Sequence, residues 1–115
     1  MRASEVLRNT RRSQGFGAMR SGDAAFCALG VLYDAIGVRL LVGAVNVPSE
    51  ILLVLYSEFP ELLSPATGRA LGRKCPVSGC YSKEDLPGLE GIVHLNDGHK
   101  LSFSQIADWL DTLAG

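Results

Sequence analysis

The sequence predicts a small single domain of the α+β class. Three observations support this class: a central apolar helix, one β-branched stretch that suits a strand, and helical patterns near both ends of the chain. The chain has 115 residues, of which 47% are apolar and 20% charged, so it can build one modest core. We therefore expect one domain over residues 1–115, with a buried central helix, a short β-sheet and flanking N- and C-terminal helices.

The N-terminal region predicts a helix followed by a turn. Residues 4–12 suit a surface helix in which Ser4 caps the first N–H groups. Two glycines then flank Phe16, which indicates a tight turn or a bent strand. The same glycine pair resembles a phosphate-binding loop only weakly, because the rest of that motif, including its lysine, is missing.

The central helix is predicted over residues 26–37, with Asp23 before it as the capping residue. Apolar residues surround nearly its whole circumference, which is typical of a buried helix. Gly30 lies inside it, where glycine costs roughly 1 kcal/mol relative to alanine, so we expect another segment to approach the backbone there. Gly37 suits the left-handed position at the helix end.

The middle of the chain is harder to interpret. Residues 38–45 are the best strand candidate, and residues 49–59 predict a helix capped by Ser49, with a buried strand as the alternative. Residues 60–89 are rich in proline and glycine, which predicts a long irregular loop or a region with short strands of its own, for example at 69–73 and 80–82.

The C-terminal helix has the strongest pattern. Ser102 and Gln105 have the spacing of a capping box, in which each side chain accepts a hydrogen bond from the other residue's backbone N–H. Apolar residues follow on one stripe at helical spacing, with Trp109 at its border.

Charge and cysteine content bear on location and partners. Residues 38–56 are the most apolar region, but polar residues interrupt them well before the roughly 20 residues of a membrane span. A polar N-terminus and three cysteines without an export signal predict a reducing, cytoplasmic location. Five arginines precede residue 21, which favours either the solvated face of a terminal helix or an anionic partner such as a nucleic acid. They are Arg2, Arg8, Arg11, Arg12 and Arg20.

Cys27 is the candidate for catalysis. A thiol in the first turn of a helix lies where the helix dipole favours the thiolate. With His94 or His99 as base and Asn96 or Asp97 to orient it, a cysteine-dependent hydrolase or transferase with the papain-like order of residues can be drawn. A cysteine among apolar neighbours is more often a small buried residue, so the sequence favours a protein that is not an enzyme. For an enzyme, the predicted catalytic set is Cys27, His94 and Asp97.

Cys75 and Cys80 form a further candidate site. Two thiols with four residues between them can share a metal ion, but a zinc site favours shorter spacing and needs four ligands. Cys27, His94 and His99 are the residues available to complete such a set. A proline-glycine turn with incidental cysteines, or a local disulfide, explains the pair more simply. We therefore expect no metal and no cofactor.

A polar site is predicted where the turn around Asn96-Asp97-Gly98 meets the glycine-flanked turn and Asp34. The Asn-Asp-Gly sequence by itself is typical of a structural turn. Pairing of Asp34 with an arginine such as Arg20 or Arg39 would likewise be structural. If the site binds a ligand, its predicted residues are Gln14, Gly15, Gly17, Arg20, Asp34, Asn96 and Asp97.

Several segments resemble a set of small phage and prophage proteins. The shared pattern is Gln-Gly-x-Gly followed by an apolar residue and arginine, then aromatic-Cys-x-Leu-Gly-Val-Leu-x-Asp, then Leu-Asn-Asp, Ser-Phe and Ile-Ala-Asp. In this chain it falls on residues 14–20, 26–34, 95–97 and 102–109, which lie in the first third and the last fifth. The relatives usually carry two adjacent cysteines and a third near the helix end, where this chain has Ala28 and Tyr33.

The resemblance implies a phage-encoded accessory protein in the host cytoplasm. Together with the small size and the lack of a strong catalytic constellation, it predicts a non-catalytic binding module for a host protein or a small ligand, with antagonism of a host defence system as one such role. A cysteine-dependent enzyme and a nucleic-acid-associated protein that uses its N-terminal arginines are the alternatives. We expect no membrane partner.

Overall fold

The computed structural model describes residues 2–45, 47–64, 66–80 and 85–113. The fold is of the α+β class, as predicted. The helices are α1 (Ala3–Asn9), α2 (Ala28–Ala35), α3 (Ser49–Glu58), a 3₁₀ helix (Pro60–Leu62), α4 (Gly88–Val93), a π-helix (His94–Gly98) and α5 (Phe103–Leu113). The strands are β1 (Ser13–Gln14), β2 (Ala25–Phe26), β3 (Gly72–Arg73) and β4 (Leu86–Pro87). No helix in these ranges is long and apolar enough to cross a lipid bilayer.

The strands form two small pairs. β1 and β2 are parallel, with Ser13 opposite Ala25 and Gln14 opposite Phe26. β3 and β4 are antiparallel, with Gly72 opposite Pro87. Each strand has two residues, so these pairs are stabilised by the helices packed around them rather than by their own ladders.

The terminal helices pack against each other. α1 lies along α5 and buries Leu7 completely in the shared core. At the edge of this contact the Arg8 guanidinium pairs with Asp108 at 2.7 Å and with Asp111 at 2.8 Å. The two ends of the chain therefore stabilise one another.

The predicted cap of α1 is wrong. Ser4 is a buried residue inside the helix, and the residue before the helix makes no side-chain cap. The carboxylate of Glu61 instead accepts a hydrogen bond from the backbone N–H of Ala3 at 2.6 Å. A free N–H group at this helix start is thus satisfied by a residue distant in the sequence.

α2 is the buried central helix that the sequence predicts. Cys27, rather than Asp23, is its capping residue, and α2 begins at Ala28. The expected close approach at Gly30 is confirmed, because a Cβ atom there would overlap the carbonyl of Met19. Gly37 has the left-handed conformation expected after the helix, with φ of +91°.

The predicted strand over residues 38–45 is wrong. This segment is irregular and turns at Gly43, whose N–H donates to the carbonyl of Arg20 at 2.6 Å. It leaves Leu41 80% exposed and Val45 61% exposed. No strand in the described residues lies beside it, so its β-branched residues have no ladder to join.

The helix predicted over residues 49–59 is confirmed as α3, which begins at Ser49 directly after Pro48, although no side chain caps it. Residues 60–89 contain short elements of their own, as one of the two predictions allows. β3 falls inside the first predicted strand. Residues 81 and 82 of the second lie outside the described residues.

The C-terminal helix α5 is confirmed together with its capping box. The Ser102 N–H donates to Oε1 of Gln105 at 2.9 Å, and the Gln105 N–H donates to Oγ of Ser102 at 3.2 Å. Trp109 is buried beneath α4, since a Cβ atom at Gly91 would overlap its indole ring. Its Nε1–H donates to the carbonyl of Lys74 at 3.2 Å. The indole therefore holds both α4 and the chain after β3 against α5.

Candidate metal centre

Cys75 and Cys80 lie in the connection that follows β3. A turn between them brings the chain back, with the Cys80 N–H donating to the carbonyl of Val77 at 3.3 Å and Gly79 in the left-handed conformation at φ of +82°. Both cysteines are half-buried free thiols. Burial raises the pKa of Cys75 above its ordinary value, and the hydrogen-bonded Cys80 thiol also raises it.

His94 and His99 lie at the start of the π-helix and directly after its end. In an α-helix, residues five apart point in different directions, whereas the wider π turn places them above one another. The His99 N–H donates to the carbonyl of His94 at 3.3 Å, which is the bond that defines this turn. Lys100 then ends the turn in the left-handed conformation at φ of +53°.

Side chains from the two segments converge on one point. The ligand atoms of Cys75, Cys80, His94 and His99 all lie within 4.8 Å of one another. Nε2 of His94 is 3.1 Å from Nε2 of His99 and 3.5 Å from Sγ of Cys80. The two imidazole rings meet edge to face, at an interplanar angle of 81°.

Two of these distances match edges of a tetrahedral zinc site. With Zn–N bonds of about 2.05 Å and Zn–S bonds of about 2.3 Å, two nitrogens lie about 3.3 Å apart and a nitrogen and a sulfur about 3.6 Å apart. The separations of 3.1 Å and 3.5 Å are close to both values. Two thiolates with two imidazoles are also a ligand set that structural zinc sites use. The widest separation in the cluster is within 4.8 Å, against about 3.8 Å for the longest edge of such a site, so an ion would draw the side chains inward.

The spacing of the ligands carried this signal in the sequence. Cys75 and Cys80 are separated by four residues, His94 and His99 by four, and the two pairs by 13. These intervals fall within or close to the ranges of Cys₂His₂ sites. From the sequence, His94 and His99 were already available, with Cys27, to complete a set with the two cysteines. The prediction of no metal is replaced here because the four-residue cysteine spacing, judged too long, does bring both thiols to the histidines.

The polar site predicted around Asn96 forms as a contact, and Asn96 lies at its centre. This side chain is fully buried. Its Oδ1 accepts hydrogen bonds from Nε2 of Gln14 at 2.9 Å and from the N–H of Ala28 at 3.1 Å. Its Nδ2 donates to the carbonyl of Gly15 at 3.0 Å and to Oδ1 of Asp97 at 2.8 Å. We call Asn96 with these four partners the Asn96 hub.

The hub joins the segments that carry the phage-protein resemblance. Gln14 and Gly15 come from the first segment, Ala28 from the second and Asn96 from the third. Gly17 also belongs to this region, since its N–H donates to Oδ1 of Asp97 at 3.0 Å. Every polar atom of the Asn96 side chain is already paired within the protein.

Arg20 and Asp34 lie apart from the hub. The Arg20 guanidinium donates to the backbone carbonyls of Gly22, Asp23 and Leu40. Asp34 pairs with an arginine as expected, but the partner is Arg12 at 3.2 Å rather than Arg20 or Arg39. Of the seven predicted ligand-binding residues, the structure brings five together and leaves these two elsewhere.

Cys27 is not arranged as a nucleophile. Its side chain is buried, and Sγ accepts a hydrogen bond from the N–H of Gly30 at 3.3 Å. The expected lowering of its pKa is wrong, because burial raises the pKa of this thiol and outweighs the hydrogen bonds from the helix start. His94, its predicted base, faces Cys80 and His99 instead.

Three of the five N-terminal arginines have structural partners. Arg8 joins α1 to α5, Arg12 pairs with Asp34, and Arg20 holds backbone carbonyls. The guanidinium of Arg12 also lies 4.8 Å from the centre of the Phe26 ring, and that of Arg20 lies 5.5 Å from it. These contacts explain much of the arginine cluster without an anionic partner.

Comparisons of the chain with protein-family models, with curated proteins and with solved structures found no match.

Proposed function

We propose that the protein binds one zinc ion through Cys75, Cys80, His94 and His99, and that this ion stabilises the fold. The observation that carries the proposal is the convergence of these four ligand atoms within 4.8 Å. This replaces our expectation from the sequence that the protein takes no metal. The thiols must remain reduced to serve as ligands, as they would in the predicted cytoplasmic location.

The order of the surrounding elements supports the proposal. The antiparallel pair of β3 and β4 carries the two cysteines in its connection, and α4 then leads into the two histidines. Cys₂His₂ zinc fingers have the same order of elements and ligands. We call residues 72–80 and 85–99 the ββα segment. Its helix is not free to enter a DNA groove as in those fingers, because α4 packs against α2 and α5 and buries Ile92. We therefore assign it no role in reading DNA.

The proposed centre is structural rather than catalytic. Four protein ligands fill a tetrahedral zinc ion and leave no position for a water molecule or a substrate. Binding releases the thiol protons, and its free energy is gained by the folded state alone. The resemblance implies a non-catalytic binding module for a host protein or small ligand. That role stays a prediction, and a closed metal centre is compatible with it.

Cobalt substitution tests the proposal directly. We expect the reduced protein to bind one Co²⁺ and to show the visible bands of tetrahedral cobalt together with thiolate-to-cobalt charge-transfer bands. Cys80→Ser should lose the charge-transfer intensity of one thiolate, and His94→Ala should bind the ion more weakly. Cys27→Ser is the matched control, because it removes the thiol outside the cluster and should leave the spectrum unchanged.

Two results would overturn the proposal. One is the absence of tetrahedral cobalt bands in the reduced native protein. The other is a spectrum that changes equally in Cys80→Ser and Cys27→Ser, because the ion would then not be bound by the four residues named.

A further inference from the structure

The π-helix contributes to two sites at once. Its first residue, His94, and the residue after it, His99, are proposed zinc ligands. Between them lies Asn96, whose side chain holds Gln14, Gly15 and the start of α2. The same five-residue turn therefore spaces the metal ligands and orients the buried amide.

The width of this turn matters to both sites. A π turn is rare and usually occurs as a single turn within an α-helix, often at functional sites. Here its defining hydrogen bond, from the His99 N–H to the carbonyl of His94, is long at 3.3 Å. An ion held by both imidazoles would connect the two ends of the turn a second time. Relaxation toward α-helical winding would rotate Asn96 away from the carbonyl of Gly15 and would separate the two imidazoles.

From this geometry we infer that zinc occupancy is coupled to the order of the loop at residues 14–17, with Asn96 as the link. The inference rests on the proposed zinc site. Zinc favours the π turn, the π turn favours the Asn96 hub, and the hub holds the loop. Because such coupling is reciprocal, a change that loosens the loop must lower zinc affinity, by at most the factor by which zinc orders the loop.

The affected surface can be named. The Gly17 N–H donates to Asp97, and Phe16 is 40% exposed beneath the ammonium group of Lys100, which lies 4.6 Å from its ring centre. Asp97 and Lys100 belong to the π turn and its end. Zinc release would therefore loosen a surface formed by the N-terminal loop and this turn.

Amide hydrogen exchange measured by NMR, with zinc and with a chelator, tests the coupling. The N–H groups of Gly17 and Ala28 donate to Asp97 and Asn96. We expect zinc to slow their exchange by about ten-fold or more, within the usual range of coupling between sites. The N–H of Gly43 is the internal control, since it donates to Arg20 and touches neither site. Equal slowing at all three amides, or none at Gly17 and Ala28, would overturn the inference.

The reciprocal experiment uses a variant outside the metal centre. Gln14→Ala removes hydrogen bonds to Asn96 and to the carbonyl of Leu101 and touches no ligand. We expect its zinc affinity, measured by competition with a chromophoric chelator, to fall by about five- to ten-fold. Arg12→Gln is the matched control two residues away, and it should bind zinc as tightly as the native protein.

The two proposals fail in different ways. If the native protein binds no zinc, the proposed function is wrong. If the native protein binds zinc and Gln14→Ala binds it equally well, the metal centre stands and the coupling is wrong.

Discussion

The metal centre and the Asn96 hub are adjacent on the π-helix, yet their polar groups are used differently. In the hub, every donor and acceptor of the Asn96 side chain has a partner, and no buried side-chain nitrogen or oxygen in the described ranges lacks one. In the metal centre, two thiols and two imidazoles have mainly one another. A saturated network stabilises a fold, whereas two thiols and two imidazoles that converge on one point are the ligand types of an ion site.

Removal of the metal tests the metal centre, and we expect it to give the largest change in stability. Free zinc at 1,000 times its Kd stabilises a protein by about 4 kcal/mol. For a domain of this size that corresponds to roughly 15 °C in Tm. We expect thermal unfolding, followed by circular dichroism, to occur about that much lower in a chelator than in zinc. Cys27→Ser should show the same shift, and Cys80→Ser should lose most of it. An unchanged Tm in the native protein would contradict the proposed centre.

Asn96→Ala tests the hub and should have the next largest effect. The change removes the hydrogen-bond partner of three groups in or near the core: the carbonyl of Gly15, the N–H of Ala28 and the side-chain amide of Gln14. An unpaired buried polar group costs about 1–3 kcal/mol, and we expect a total of about 3 kcal/mol in urea unfolding. The loss should be smaller in a chelator, because zinc release already loosens the hub. Asn9→Ala, at the exposed end of α1, is the control and should change stability little. A loss below about 1 kcal/mol for Asn96→Ala would show that the hub contributes little.

Two glycine variants separate two contributions to stability. Gly91→Ala tests how the ββα segment packs on α5, and Gly98→Ala tests the local stability of its helical turn. A methyl group at Gly91 would overlap Trp109, and overpacking of this kind costs about 2 kcal/mol. A methyl group at Gly98 would meet only Nδ1 of His94 at 3.8 Å, so that variant should be neutral or slightly stabilised. Urea unfolding of both variants in zinc measures the difference. Equal stability would mean that the indole does not fix α4 on α5.

Thiol alkylation compares the buried Cys27 with the two cysteines of the metal centre, and we expect it to show the smallest of these differences. Burial raises the pKa of Cys27, so its thiolate forms only at higher pH and its alkylation near neutral pH should be slow with or without zinc. Cys75 and Cys80 are half-buried, so they should react in a chelator and be protected by zinc. Mass mapping after brief iodoacetamide treatment distinguishes the three sites. Rapid labelling of Cys27 at neutral pH would revive the cysteine-dependent mechanism.

Local patterns in the sequence predicted the elements whose causes are local. The capping box at Ser102 depends on neighbours within three residues, and the burial of α2 follows from apolar residues around its circumference. The glycine at position 30 indicated a close approach, although the sequence did not name its partner, Met19. The strand at residues 38–45 could not be settled in this way. A strand requires an edge to pair with, and β propensity alone does not state whether one exists.

The candidate site also shows what local sequence patterns can and cannot predict. The sequence indicated that the Asn-Asp-Gly turn would meet the glycine-flanked loop, and it does. The meeting of the cysteine pair with the histidine pair depended on a π turn, because i and i+5 diverge in an ordinary helix. No local pattern in residues 94–99 announces that turn, so the sequence left His94 and His99 available both as a base for Cys27 and as ligands beside Cys75 and Cys80.

The indole between α4 and α5 has a practical consequence. Trp109 is the single tryptophan of the chain, and it touches the residue before Cys75 and a glycine three residues before His94. Excited at wavelengths that the three tyrosines do not absorb, its emission arises from one junction in the molecule. Fluorescence of this native chromophore can follow loading and release of the ion in real time, with no attached dye.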